Sequence, residues 1–408
     1  MRVLYSSIIL FSTLIIKLSS IFNKKAKQRT EGRKNLFHLL EEKCRGKKNI
    51  VWFHCASLGE FEQGKPLMEK IKQQEENFTL LLTFFSPSGY EVKKNDPIAD
   101  IITYLPPDTL KNAKKFINII KPKRVFFIKY EFWYNYMNEL SLRSIPFYYV
   151  SAIFRENQYF FKCYGKWFLN HLKKCTHFFV QNDNSETLLR KFDISQVTVT
   201  GDTRFDSVSK TAKQPCNLDF LDTFKSDKKL LVAGSTWQQD EKLLFELFPK
   251  VNSHYKLVIV PHKVEKERIE QIKRRFHSFS TVCYSEKDEK KLSDYDILIV
   301  DCIGLLSKIY RYADISYIGG AFKTGLHNIL EAAVYEKPLF FGPYYNKFNE
   351  ATTLVNFGGA FSVTNSIKMV EKIHFFENNP SEYQTICEIC KKFVEANLGA
   401  TERIMAEL

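Results

Sequence analysis

Ile50-Val-Trp-Phe53 runs into His54-Cys-Ala-Ser-Leu-Gly-Glu60 and on into Phe61-Glu-Gln-Gly-Lys-Pro-Leu-Met68. The first four residues are an apolar run of strand length. A turn of small residues follows, and the segment from Phe61 reads as the opening of a helix. A strand, a small-residue turn and a helix start place Glu60 at the carboxyl end of a strand. Open α/β sheets bind their ligands there. The plainer alternative for Glu60 is a first-turn acid favoured by the helix dipole.

Outward from this stretch, strand-length apolar runs alternate with helix-period segments. Strands are expected at 49–54, 79–85, 124–128, 146–150, 177–180 and 197–200, with helices over 61–74, 108–120, 131–143, 158–174 and 184–192. This alternation is the signature of a parallel sheet wrapped by helices. It breaks at Lys210-Thr-Ala-Lys-Gln-Pro-Cys-Asn217 and resumes with strands at 229–234, 256–260, 281–284, 296–300, 314–318 and 338–341. A chain of 408 residues is long for one core, and two domains are the default. The expectation is two doubly wound α/β halves facing a central cleft, with strand carboxyl ends on both walls. The divisions are a membrane anchor over 1–23, an N-terminal domain over 24–207, a C-terminal domain over 208–380, and a helical end, 381–408, crossing between the halves.

Charge is unevenly placed. Residues 1–50 hold twelve Lys and Arg against three Glu, giving +9 of a total of +14. The rest is only mildly basic, so nucleic acid is not an expected partner. Ahead of the basic cluster lies an apolar run from Val3 to Phe22, long enough at about 1.5 Å per residue to match roughly 30 Å of hydrocarbon. Lys24, Lys25, Lys27 and Arg29 follow it and only Arg2 precedes it, which puts the remainder on the cytoplasmic side. A single-pass or interfacial anchor is expected over a cleaved signal peptide, since no clean Ala-x-Ala site follows the run. The nine cysteines are scattered, and Cys387-Glu-Ile-Cys390 lacks a second pair at zinc spacing.

In the second half, strand ends carry the residue types that grip a phosphorylated ligand. They are Leu231-Val-Ala-Gly-Ser235-Thr236, Val258-Ile-Val-Pro261-His262-Lys263, and Ile315-Ser-Tyr-Ile-Gly-Gly320-Ala321 running into Thr324-Gly-Leu-His-Asn328-Ile329-Leu330-Glu331. Backbone N–H groups at a glycine-rich helix start bind phosphate. Glu331, read as one turn inside that helix, is placed to accept the ribose hydroxyls of a nucleotide.

With these motifs on the page, the chain resembles the 3-deoxy-D-manno-octulosonic acid (Kdo) transferases of lipopolysaccharide synthesis. The resemblance runs from the anchor to about residue 364. It is carried by Ser57-Leu-Gly-Glu60, Thr83-Phe-Phe-Ser-Pro-Ser-Gly-Tyr90, Tyr104-Leu-Pro-Pro-Asp108, Glu131-Phe-Trp-Tyr-Asn135, Gly201-Asp-Thr-Arg-Phe-Asp206, Ala233-Gly-Ser-Thr236 and His327-Asn-Ile-Leu-Glu331. It implies a GT-B glycosyltransferase fold with an N-terminal membrane anchor. It also implies Glu60 as general base, Glu131 and Arg204 as groups stabilising the transition state, and Pro261-His262, Ile303-Gly304-Leu305 and Asn328 to Glu331 as the segments that hold CMP. Tyr134 departs from a frequent Pro and Arg204 from a common Lys. His262 stands where Arg is frequent, and Ala321 where Ser is frequent. The implied donor is CMP-Kdo, the acceptor a lipid A precursor, and the site the inner membrane surface. No cofactor or metal is expected, because a monophosphoester leaving group bears less charge than a diphosphate and helix N-termini with a few cations can suffice. A carboxylate base would activate the acceptor hydroxyl, and in-line displacement would invert the anomeric centre. Two other readings stay open: a GT-B enzyme using a uridine nucleotide sugar, and an inactive lipid-binding homologue.

Overall fold

Every residue of Ile50–Cys55 is buried, as a strand flanked on both faces by helices must be. This strand, β1, sits inside a seven-stranded parallel sheet with β2 (Thr79–Phe84), β3 (Ile101–Tyr104), β4 (Arg124–Ile128), β5 (Phe147–Ala152), β6 (His177–Val180) and β7 (Val197–Val199). The order is β3-β2-β1-β4-β5-β6-β7. The chain therefore reverses direction across the sheet between β1 and β4, and the crevice outside that point is the ligand position of open α/β sheets. The computed structural model describes residues 2–323 and 325–408, together with the side chains of all of these except Arg2, Glu289 and Lys290.

A second seven-stranded parallel sheet comprises β8 (Lys229–Thr236), β9 (Tyr255–Pro261), β10 (Thr281–Cys283), β11 (Ile297–Ile299), β12 (Ile315–Ile318), β13 (Leu339–Phe341) and β14 (Ala360–Ser362). Its order, β10-β11-β9-β8-β12-β13-β14, repeats the arrangement, with the switch between β8 and β12. β3 and β14 are absent from the sequence expectation.

The chain divides into two compact units, one of residues 1–207 with 398–408 and the other of residues 208–397. The segment expected as one terminal helix is two. Pro380–Ala396 belongs to the second unit, and Gly399 in the left-handed conformation (φ +86°) breaks the helix. Ala400–Met405 then joins the first unit. There Asp206 accepts the N–H groups of Gly399 and Thr401 at 2.8 and 2.7 Å, while Arg403 donates to Thr200 O.

The N-terminal apolar run forms the helix Arg2–Ser19, followed by Lys24–Glu31 capped by Asn23. Among the described residues no single helix is long and apolar enough to cross a membrane, and these two form a pair bent by 117°. Tyr5 is docked on the first unit. Its hydroxyl donates to Asp108 Oδ2 at 2.7 Å, and its ring lies 5.4 Å from Tyr134 and 6.2 Å from Trp167. Asp108, itself buried, also accepts the N–H groups of Asn135 and Tyr136 at 3.1 Å. It thereby satisfies the first turn of the helix Tyr134–Leu142, which no side chain of its own caps.

Asp108→Ala orphans two buried helix donors and the Tyr5 hydroxyl together. It should cost about 2–4 kcal/mol, the sum of a lost cap and unsatisfied buried groups. Equilibrium denaturation of the variant checks this.

Candidate active site

In the first unit the carboxyl ends of β1 and β4 lie side by side, pairing from Val51–Arg124 to His54–Phe127. The helix after β1 begins at Leu58, so Glu60 is its third residue, and its Oε2 accepts the Ser57 N–H at 2.9 Å. The plain first-turn reading is locally correct: Glu60 closes the helix start in the manner of a capping box. Burial first, and the nearby charge of Glu131 second, push its carboxyl up to about 7, against the opposing pull of the Ser57 N–H and Lys129. A carboxylate so placed exchanges protons near neutrality.

Glu131 comes from the loop after β4, ahead of the helix expected to contain it, and is buried. Its Oε2 faces His54 Nε2 at 3.0 Å and accepts the Trp133 indole N–H at 2.8 Å. Arg204 begins its helix and is bound to Asp202, whose Oδ2 accepts from Nε at 2.9 Å and Nη2 at 2.7 Å. Asp202 Oδ1 accepts from Gln63, one turn beyond Glu60, at 3.1 Å. Burial alone would raise Asp202, but the Arg204 charge and these hydrogen bonds outweigh it and hold the carboxyl below its ordinary value. Arg204 thus presents an ion pair, with the charge spread over both partners, in place of a bare cation. Gln63 joins it to the helix that carries Glu60.

In the second unit the ends of β8, β9 and β12 converge. Ser235 adopts a left-handed φ of +53°, and its carbonyl lies so near Gly319 that a Cβ there would come within 2.4 Å. Trp237, beyond β8, and His262, just past Pro261 and β9, stack with ring centroids 4.7 Å apart. His327 also stacks against His262, at 4.5 Å, and its ring lies close against Gly320 (φ +95°). The Trp237 indole N–H donates to His327 Nε2 at 3.1 Å. An indole nitrogen only donates, so Nε2 is the accepting nitrogen and the His327 proton sits on Nδ1. Burial and then His262 push the His327 imidazole down to about 4. A cavity of about 480 Å³ adjoins this stack, lined by Thr236, Trp237, Lys263, Arg268, Gly320 and Lys323 among others.

The other predicted donor residues fall on nearby turns. Ile303 is exposed and Gly304 (φ +95°) turns the chain into Leu305, ahead of the short helix Leu306–Ile309. The glycine-rich turn does not itself open a helix. Thr324 lies outside the described residues, and the helix, Leu330–Ala333, starts only after Ile329. Glu331 is therefore in its first turn, not one turn inside. Asn328 Oδ1 accepts the Leu330 N–H at 3.2 Å and its amide donates to Glu331 Oε1 at 3.1 Å. Among the described residues no group of three or more His, Cys, Asp or Glu side chains is arranged to hold a metal ion. His54, Lys129, Asp202 and Trp237 were given no role from sequence. Only their nearness to a strand end marked them.

Two parallel α/β units, each with its polar side chains at the switch point, define a GT-B-like fold. Solved structures agree. The UDP-GlcNAc 2-epimerase of Neisseria meningitidis gives a TM-score of 0.62 at 13% identity over 88% of this chain and 98% of that one. A glycosyltransferase of Rickettsia africae gives 0.59 at 15% identity over 88% and 97%. The chain is similar to Kdo transferases over most of its length. Residues 26–207 match the family model for 3-deoxy-D-manno-octulosonic-acid transferase (kdotransferase). The 3-deoxy-D-manno-octulosonic acid transferase of Aquifex aeolicus is 27% identical over 345 residues, 82% of this chain and 87% of that protein. The Rickettsia felis transferase is 27% identical over 360 residues, 86% and 76% of the two chains.

Of the two causes that hold the His327 imidazole at about 4, His262→Asn removes one and leaves the burial. The His327 imidazole should then move part of the way up toward its ordinary 6.5, as an NMR titration of the ring would register.

Proposed function

We propose that this protein is an inverting transferase that moves Kdo from CMP-Kdo to a hydroxyl of a lipid A precursor. The observation that carries the reading is the pair of carboxylates at the β1–β4 switch, with Glu60 raised to about 7 beside buried Glu131, in a chain whose residues 26–207 match the Kdo transferase family model. Glu60 takes the proton of the acceptor hydroxyl as that oxygen attacks the anomeric carbon. The bond to the CMP phosphate oxygen breaks, and CMP leaves with the electron pair. Glu131 and the Arg204–Asp202 pair set the field in which charge shifts during attack. In the second unit Ser235, Pro261, His262, Ile303 to Leu305, Gly320 and Asn328 to Glu331 hold the nucleotide, with Glu331 on the ribose.

We place the enzyme at the inner membrane, its catalytic units on the cytoplasmic face and its N-terminal helix lying in the interface. What supports an interfacial placement is Tyr5. A helix that crosses the bilayer puts its ends on opposite faces, yet Tyr5 near one end bonds Asp108, and beyond the other end Arg29 lies 3.8 Å over the Phe85 ring of the same unit. Phe11, Leu14, Ile15 and Leu18 are exposed, and a basic segment follows. That combination suits an anionic surface.

Incubation with CMP-Kdo and a tetra-acylated lipid A precursor, read by mass spectrometry of the lipid, tests the function. Uridine nucleotide sugars run in parallel separate the rival donor class, and product from them alone would overturn the proposal. Glu60→Gln should leave CMP binding intact and lower turnover by about 10²–10⁴-fold, the usual effect of losing a positioned base. Calorimetry with CMP and a steady-state assay check the two halves of that statement.

For the interfacial placement, a Val3→Cys protein in sealed vesicles should react with an impermeant maleimide only from the cytoplasmic side. Labelling from the opposite side would mean that the helix spans.

A further inference from the structure

The hydrogen bonds around His54 fix where its protons lie. Thr83 O, a carbonyl that can only accept, is 3.1 Å from His54 Nδ1. Thr83 Oγ1, 2.9 Å from the same nitrogen, already accepts the Trp52 indole N–H at 2.8 Å and directs its own proton to Phe53 O at 3.3 Å. Nδ1 must therefore carry a proton. On the far side of the ring Nε2 lies 3.0 Å from Glu131 Oε2, so one further proton is held between them. That oxygen also accepts the Trp133 indole N–H at 2.8 Å. An oxygen taking two N–H donors is best served as a carboxylate, which leaves the shared proton on the imidazole.

We infer that His54 is a positioning residue of the acceptor site, a buried imidazolium that holds Glu131 as an aimed carboxylate and makes with it a pair of no net charge beside Glu60. The inference rests on the reading of Glu60 and Glu131 given under the proposed function. The physical need is plain. A bare Glu131 carboxylate buried next to Glu60 would put two like charges in one poorly solvated space, and one of them would take up a proton. With His54 charged, Glu131 keeps its charge and its direction, and Glu60 remains the group that gains and loses the proton. The rings packed on His54, those of Trp52, Phe127 and Trp133, carry no charge. The titratable groups beyond them are Glu60, Lys129 and the buried thiol of Cys55. Trp52 and Thr83, both buried, then serve a second purpose: they hold the imidazole in one orientation.

The direct test is nitrogen NMR of the full-length protein, with labelled histidine, at pH 7 and without donor. His54, assigned by its loss in His54→Gln, should show both ring nitrogens protonated. An unprotonated Nε2 overturns the inference. Glu131→Gln supplies a second route if the His54 variant does not fold: with the anionic partner gone, His54 should become neutral, and an unchanged imidazolium would count against the pair. In turnover, His54→Gln should lower kcat by about 10²-fold, as for the loss of a preorganised charge, with KM for the donor unchanged. Because Glu131 is then uncompensated, Glu60 holds its proton more tightly, and the acid limb of kcat/KM should move to higher pH. A lower kcat with the acid limb in place would reduce His54 to packing and contradict the inference. The spectrum needs neither donor nor acceptor. A neutral His54 in an active transferase thus strikes the pair alone, and a charged His54 in a protein that transfers no Kdo strikes the function alone.

Discussion

Two carboxylates, Glu60 and Glu131, are held at the ends of neighbouring strands, where little water reaches, and the first unit is arranged around that crowding. Neither would be stable there as an isolated anion. Glu60 is helped by the helix start whose Ser57 N–H it accepts, and Glu131 by donors from His54 and Trp133. What remains after this compensation is a carboxyl raised to about 7, which is the value a base working at neutral pH requires. The switch between β1 and β4 makes the crowding possible, because it opens a crevice between two strand ends that leave in opposite directions.

The second unit solves a different problem with the same architecture. Segments that follow β8, β9 and β12 meet there in the Trp237–His262–His327 stack. Gly320 is needed where His327 closes down on the chain, since a side chain there would collide with the Gly325 carbonyl and the ring. The indole N–H on Nε2 fixes the His327 tautomer, and burial, with His262 beside it, holds the ring neutral at pH 7.

Much of this was legible in the chain. Strands buried on both faces appear as unbroken apolar runs, and this is why β1, β2, β4, β8 and β9 stand out. Glu60 was legible through its turn as a first-turn acid, and the structure shows it closing that helix start. Strand order was not legible: nothing in residues 50–55 says that β4, some seventy residues on, lies beside them. For that reason the partnership of His54 with Glu131 is invisible in sequence, where His54 reads only as a polar residue at a strand end. The return of Ala400–Met405 to the first unit is hidden likewise, because it depends on Asp206 capping a helix nearly two hundred residues away. The commitment of Arg204 to Asp202 likewise needed the fold.

The tuning of Glu60 is the claim on which the rest turns, and it can be measured on the carboxyl itself. Carbon NMR titration of the protein carrying labelled glutamate, with Glu60 assigned by Glu60→Gln, reads its protonation without substrate. The account predicts a midpoint near 7. A midpoint at the ordinary glutamate value of about 4.3 would contradict it, and would return Glu60 to a simple helix cap.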